Sequence, residues 1–484
     1  MPLELPKAFT AQMQTLLGGE FADFMHALEE KPPVSLRMNT RKPGAIFPDE
    51  PDVDAIPWAN NGLYLPVRPK FFKDPLQYAG GYYVQEASSM LIGQMADFSE
   101  DMKVLDLCAA PGGKSTLLAS RLSKESLLVA NELVGNRARV LLENVSRWGD
   151  PKVLVANNHP RDYPALGPYF DLIFVDAPCS GEGMFRKDPK VIGTWKPGIV
   201  RACVERQKAI LSEVIHALKP GGRLIYSTCT YNRKENEDIV QWLLGMDRGM
   251  MEIAKHEFPE EWGLVPGSTD GYDPDMRFTY HCYPHKVRGE GFFVACLEKT
   301  RASRFGPPKG GKRKQRMAKK SNKRRHEKGD RHRGTSTPIS KADLTYAKRF
   351  LAEPAAFDLQ AYEGQIHALP EHQSADFRHL SEKLRFLRSG ITMGIPAKGR
   401  LHPDHDLAMS EATGTEVPVI PVDFEQAMRY LKRDEMQIDA GDARGWAILS
   451  HKDRHLGWVK VLEKRVNNHL PRYLRIRADL RDLY

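Results

Sequence analysis

Lys103-Val-Leu-Asp-Leu-Cys-Ala-Ala-Pro-Gly-Gly-Lys-Ser115 is the stretch that decides the fold. Lys103–Leu107 is short and apolar and runs into a glycine-bearing turn, so it reads as a buried strand, with a helix expected from near Lys114. The alternation continues outward from it. Leu127–Asn131 is a second predicted strand, followed by a helix over roughly 136–148; Lys152–Ala156 is the third and Phe170–Val175 the fourth and most apolar. Arg201–Leu218 predicts a helix, with Ile210, Leu211, Val214, Ile215 and Leu218 on one face. Lys219-Pro-Gly-Gly222 is expected to end that helix, and Arg223–Ser227 to form a fifth strand. Strands alternating with helices build an α/β, Rossmann-like, doubly wound and mostly parallel sheet.

Ligands of such sheets sit beyond the carboxyl ends of the strands. Asp106 and the turn Cys108–Ser115 follow the first strand, Glu132 ends the second, and His159 lies just past the third. Asp176 ends the fourth and Cys229 the fifth, so all are expected on one edge. A turn holding Gly112 and Gly113 ahead of a helix brings backbone N–H groups close to a ligand. Glu132 is placed for ribose hydroxyls. The turn matches neither the dinucleotide nor the nucleoside-triphosphate glycine pattern, which leaves a nucleoside without a polyphosphate, S-adenosylmethionine above all. A purely structural glycine turn is the competing explanation.

Two thiols stand out: Cys179 in Asp176-Ala-Pro-Cys-Ser-Gly-Glu-Gly183, and Cys229 in Ser227-Thr-Cys-Thr-Tyr231. Methylating carbon 5 of cytosine requires a thiolate added at carbon 6, an acid near N3, and a base to remove the carbon 5 proton. Cys229 precedes a helix expected near Arg233, whose N-terminus favours a thiolate. Asp176 is placed to hold a proton for the base nitrogen. The alternative for both cysteines is burial as small hydrophobes. Cys203, Cys282 and Cys296 have no such setting and are assigned to packing, as is Cys108.

The 484 residues suffice for two to four domains. Hydrophobic content of 41% with 27% charged residues is that of a globular protein. No apolar stretch reaches the length of a membrane span and no secretory signal is evident. The six cysteines show no short paired spacing, so neither a disulfide framework nor a zinc ribbon is expected; no metal site is predicted, and reduced thiols suit the cytoplasm. Residues 309–333 hold thirteen Lys/Arg against two Asp/Glu, a balance of +11 in a chain of +9, so the remainder is near −2. The basicity is a tether, suited to neutralising phosphates without sequence preference.

These motifs resemble the Sun/Fmu-type RNA cytosine-5 methyltransferases, and the likeness covers most of the chain. It also takes in Ser35-Leu-Arg-Met-Asn-Thr40, Gly81-Tyr-Tyr-Val-Gln-Glu-Ala-Ser-Ser-Met90, Ala130-Asn-Glu-Leu133 and Pro284-His-Lys-Val-Arg-Gly-Glu-Gly-Phe-Phe293. Tyr430-Leu-Lys432, Gly445-Trp446, Leu456-Gly-Trp458 and Lys460 are similar to the PUA-like extension of the RsmF (YebU)-like branch. The resemblance implies a small N-terminal RNA-binding domain (1–72), a Rossmann-like methyltransferase domain (73–300) and a basic linker (301–340). A small α+β domain (341–410) and a PUA-like RNA-binding domain (411–484) follow. It implies Cys229 as nucleophile, Cys179 as the thiol resolving the adduct, and Asp176 as the acid, with Lys114 facing the active site. The cofactor contacts implied are Ala109, Ala110, Pro111, Gly112, Gly113, Lys114, Ser115, Glu132 and Asp176, with His159, or Asn158 beside it, aligned where family members often carry an aspartate. The implied partner is RNA, small-subunit ribosomal RNA first, handled by a monomer that acts on neither DNA nor a membrane. Transfer RNA as substrate, or a non-catalytic ribosome-assembly factor, are the alternatives. Arg37, Asn39, Tyr82, Tyr83 and Gln85 are candidate RNA contacts, with ordinary strand pairing as the alternative, and Arg186 and Lys187 candidate phosphate contacts. Trp446 and Trp458 are expected in the core rather than as stacking platforms for bases.

Overall fold

The computed structural model of the chain describes residues 4–42, 53–98, 100–246, 250–300, 339–362, 364–463 and 465–477. The basic run 309–333, and the expected linker as far as residue 338, lie outside them.

The N-terminal part holds two helices, Lys7–Leu17 and Phe21–Glu29, and four strands: β1 (Val34–Met38), β2 (Asp54–Ile56), β3 (Ala59–Leu65) and β4 (Tyr82–Tyr83). The strands form one sheet in the order β2-β3-β1-β4, so the sheet closes ten residues beyond the boundary expected at 72. Nor is this part a separate unit. Phe9 packs edge-on against Phe185 and Trp195, and Phe24 against Tyr231, which makes one aromatic core with the domain that follows.

The central sheet contains β5 (Lys103–Asp106), β6 (Leu127–Asn131), β7 (Val153–Ala156), β8 (Phe170–Asp176) and β9 (Leu218–Thr228), all parallel, in the order β9-β8-β5-β6-β7. Both faces are covered. Leu105, Val129, Leu154 and Ile173 enter one apolar core, and Val104, Leu128, Val153 and Leu172, each one residue earlier, enter the other. The strand order reverses between β5 and β8, the position at which sheets of this kind bind their ligands.

Three features depart from expectation. The helix begins at Pro197, whose fixed φ suits a first helical position, and ends at Val214. Leu218 is already strand, paired with Phe170 and fully buried, so Lys219-Pro-Gly-Gly222 forms an irregularity inside β9. Pro220 disfavours a helical Lys219 and the core claims Leu218. Second, the sheet has ten strands, of which only the five above run parallel. β10 (Met251–Ile253), β11 (Val265–Pro266), β12 (Tyr280–Cys282) and β13 (Phe292–Lys299) extend it antiparallel, with β13 alongside β9. Third, residues 341–410 are not an independent domain. β14 (Phe357–Tyr362), β15 (Gln365–Pro370), β17 (Ile391–Pro396) and β18 (Leu401–Pro403) form their own sheet, but β16 (Phe386–Arg388) pairs with β7 as the opposite edge of the central one. Phe377, Leu380 and Phe386 share the β5–β8 core, and Arg388, fully buried, pairs with Asp406 at 2.9 Å.

The last sheet, β19 (Val419–Pro421), β20 (Gly445–His451), β21 (Arg454–Val461) and β22 (Val466–Asn468), packs against the helix Phe424–Lys432. Asp423 and Gln426 cap that helix reciprocally, and Ala427, Met428, Tyr430 and Leu431 are its buried face.

Candidate active site

The loops after β8 and β9 bring the two cysteines together: Cys179 Sγ and Cys229 Sγ lie 3.1 Å apart, both half-buried. The contact with Cys229, then burial, push the Cys179 thiol well above its ordinary pKa. Cys179 therefore keeps its proton beside the sulfur of Cys229. A set of buried polar contacts fixes this spacing. Ser180 Oγ and Thr230 Oγ1 are 2.9 Å apart, joining the residues that follow each cysteine, and Gly183 N–H donates to Cys229 O. A side chain at Gly183 would collide with the Gly291 carbonyl, so only glycine allows the loop after β8 to come so near the strand entering β13. Glu235 Oε1 accepts from Ser180 N–H (2.9 Å) and from Gln207 Nε2 (3.2 Å), and Gln207 also donates to Pro178 O. Asn236 accepts from Thr228 Oγ1 and donates to Thr230 O, so it brackets Cys229.

Asp176, last residue of β8, is half-buried. Lys114 Nζ donates to its Oδ2 at 2.7 Å and Ser227 Oγ to its Oδ1 at 2.8 Å. Burial alone lowers the Lys114 pKa, but the charge and hydrogen bond of Asp176 outweigh it and the net shift is upward. Lys114 is thus a firm ammonium, 5.4 Å over the ring of Phe292.

The glycine turn leads into the helix Gly113–Arg121 as expected. Gly112 has φ +117°, a conformation that side chains rarely adopt, and a Cβ at Gly113 would press on the Tyr83 ring at 3.1 Å. Two buried acids beside the turn have spare acceptor capacity. Glu132 Oε1 accepts from Val134 N–H, while Oε2 lies 3.1 Å from Arg137 Nη1 yet forms no hydrogen bond with it. Asp106 Oδ2 accepts from Ser115 Oγ and Oδ1 has no partner among the described residues; burial raises this carboxyl to about 7. Buried acceptors left open at the strand ends are what ribose hydroxyls and an ammonium require.

The same architecture recurs in known proteins. Three family profiles match: "16S rRNA methyltransferase RsmB/F" over residues 94–298, "N-terminal domain of 16S rRNA methyltransferase RsmF" over 5–87, and "Methyltransferase RsmF PUA domain" over 417–476. The ribosomal RNA small subunit methyltransferase F of Aliivibrio fischeri is 30% identical over 493 residues, covering 97% of each chain. The chain belongs to the ribosomal RNA small subunit methyltransferase F family. The protein of that name from Escherichia coli O6:H1 is 29% identical, over 97% of this chain and 96% of its own. Among solved structures, a methyltransferase homolog protein from Pyrococcus horikoshii aligns over 61% of this chain and 96% of its own, at 29% identity and TM-score 0.53. The fold of NSun6 from the same organism, solved with SFG, covers 62% of this chain and all of its own at 23% identity and TM-score 0.52. Like the rest of its family, the chain is a methyltransferase, and its cofactor is S-adenosylmethionine. The turn into the helix Gly113–Arg121, with the open oxygens of Asp106 and Glu132 beside it, is chemically compatible with that cofactor.

Other expected contacts of this family member fall elsewhere. His159 Nδ1 accepts from Arg161 N–H and caps the turn Pro160–Leu166, and burial lowers its pKa. Asn158 is tied at both ends of its amide to the Arg385 backbone, so neither side chain is open to a ligand through those atoms. Arg37 and Asn39 are 2% and 1% exposed and do not face RNA. Arg37 donates to Gly113 O, Thr116 Oγ1 and Gln85, and lies 4.4 Å over Trp148; Asn39 donates to Gly80 O and Trp148 O. Tyr82 is buried on Asp74, and half-buried Tyr83 packs on the turn. This sheet buttresses the helix Gly113–Arg121. Arg186 is buried on Glu290, Ala27 O and Gly289 O, while Lys187 is exposed. Trp458 is core as expected and Trp446 half-buried. Asp106 lies on the expected edge, whereas Ser227, Gln207, Glu235 and Asn236 carry no sequence signal that marks them. Lys-Glu-Asn-Glu after Arg233 signals only a helix start, and long-range partners carry no local pattern.

Proposed function

We propose that this enzyme methylates carbon 5 of a cytosine in small-subunit ribosomal RNA. The observation that carries the reading is the sulfur pair of Cys179 and Cys229 on the same sheet edge as the Lys114–Asp176 pair and the cradle. The ribosomal substrate rests on the names of the family and its relatives. The residue roles belong to the same proposal. Cys229 Sγ bonds to carbon 6 of the cytosine, and the Lys114–Asp176 pair supplies the proton at N3, leaving carbon 5 nucleophilic. When bound, S-adenosylmethionine provides an electrophilic methyl group. Cys179 then acts as base. The contact that keeps it protonated is with Cys229, and that contact weakens once the Cys229 sulfur is a thioether, freeing Cys179 to ionise. As the thiolate it takes the carbon 5 proton, the Sγ–C6 bond breaks with its electron pair returning to Cys229 Sγ, the N3 proton goes back to the Lys114–Asp176 pair, and the C5=C6 double bond is restored. Reduced thiols, a soluble monomer in the cytoplasm and RNA rather than DNA complete the proposal; no described helix is long and apolar enough to cross a membrane.

The test is methyl transfer from labelled S-adenosylmethionine to small-subunit RNA, followed by bisulfite mapping. Cys229→Ala is expected to abolish transfer and leave cofactor affinity unchanged. Retained transfer removes Cys229 as nucleophile, and a methyl group at any other atom removes the cytosine chemistry.

A further inference from the structure

A cleft of about 610 Å³ opens between the β14–β18 sheet and the β19–β22 sheet, away from the strand ends that hold the cysteines. Arg349 and Arg400 line one wall, and Arg444, Trp446 and Lys460 the other, with Glu416 at the rim. Three of the four cations are exposed and Lys460 is half-buried. Among the described residues none of the four forms an ion pair, so one carboxylate faces four uncompensated positive charges. This is notable in a chain whose folded part is close to neutral. Lys460 is paired across the strands with Trp446 and its Nζ lies 5.4 Å from the indole centroid. Trp446 rests on the fully buried Trp458, whose Nε1 is anchored to Asp404 O. The indole is therefore held rigidly where it meets the cleft.

Guanidinium groups without a carboxylate partner, Arg444 resting on the Gly441 and Ala443 carbonyls and Arg349 over Tyr346, around a fixed aromatic ring in a concave site match a phosphodiester chain with an unstacked base. The volume falls in the range of roughly 300–1,000 Å³ of small-ligand sites, which admits one or two nucleotides and excludes a duplex. We propose that this cleft seats a single-stranded segment of the RNA, with phosphates on Arg349, Arg400 and Arg444 and a base against Trp446. The seat rests on the RNA reading above and adds to it. Half of its wall comes from residues 299–416, between the stretches matched by the family profiles, so the last domain alone does not form it. In the sequence, the basic run 309–333 comes shortly before Tyr346 and Arg349 of this wall.

The test uses the full-length protein and a fluorescent uridine dodecamer, which offers no cytosine to the active site. Arg349→Glu combined with Arg400→Glu is expected to weaken binding about tenfold at 0.15 M salt. The slope of log affinity against log salt should fall by about 1.4, at about 0.7 per phosphate contact on a single strand. Cofactor affinity, unchanged, reports intact folding. Trp446→Ala should weaken binding by a similar factor and Trp446→Phe should restore it. A 4-thiouridine dodecamer should crosslink within 397–402 and 444–460. Unchanged affinity and slope, crosslinks confined to other segments, or equal competition by an acidic dodecapeptide overturn the seat. Absence of methyl transfer by the wild-type protein sinks the proposed function instead, and leaves these binding outcomes readable.

Discussion

Cys179 and Cys229 sit 3.1 Å apart, and removing each sulfur in turn distinguishes the roles proposed for them. Cys179 is driven well above its ordinary pKa, by its neighbour's sulfur first and by burial second. A residue needed only to release product can be removed without stopping adduct formation. Cys179→Ala is accordingly expected to accumulate a covalent RNA–protein complex, seen as a retarded band on a denaturing gel, while turnover drops by about 10²–10⁴-fold. Normal turnover with no band would remove Cys179 from the release step. Lys114 is balanced in a similar way, since burial disfavours its ammonium and Asp176, 2.7 Å away, is the largest of the groups that outweigh it.

At the level of elements, two loops from separate strands must hold two sulfurs in register, and Glu235 and Asn236 span both. Burial raises Glu235 to about 7, against the hydrogen bonds from Ser180 that lower it. A carboxyl with a raised folded pKa stabilises the fold fully below its unfolded value near 4.5, and that contribution is lost as pH rises through 7. Each such group costs up to about 1.4 kcal/mol per pH unit inside that window. Glu235→Gln keeps an acceptor for Ser180 and does not titrate. Its stability in urea unfolding should fall less between pH 5 and pH 8 than that of the wild type, with Asp106 still contributing the same sign. Parallel pH profiles would show that Glu235 does not titrate in that range. β16 is the second telling element. Phe386 is 4% exposed in the core shared with β5–β8, so Phe386→Ala should cost about 3–5 kcal/mol in denaturant unfolding of the whole chain. A loss confined to a separate C-terminal transition would mean that β16 does not weld the two regions.

At the scale of the whole molecule, charge and fold are divided. The net positive charge belongs to 309–333, and the rest of the chain is near neutral. Deleting 309–333 should reduce RNA affinity and flatten its salt dependence by several units, as measured by titration from 0.05 to 0.3 M salt. An unchanged slope would assign the electrostatic term to local patches such as the cleft beside Trp446. The N-terminal sheet and residues 341–410 are both bound into the central domain, through Arg37 on Gly113 and β16 on β7. The helix Gly113–Arg121 is thereby braced from one side and the loop after β7 from the other.

The five parallel strands, the glycine turn and the two cysteine loops were legible in the sequence, because apolar runs, turn residues and strand-end acids are local signals with a fixed period. What only the tertiary structure decided is everything set by distant partners. Arg37 and Arg186 look like phosphate ligands in isolation, yet buried carbonyls and Glu290 claim them. His159 and Asn158 stand at the right strand end but are spent on a turn and on Arg385. Leu218 joins a strand because Phe170 is there to pair with it, and Phe386 crosses into another region's sheet because the edge of β7 was open. Local chemistry chose the elements; competition for burial and for hydrogen-bond partners among residues far apart in the chain chose which side chains remain available at the site.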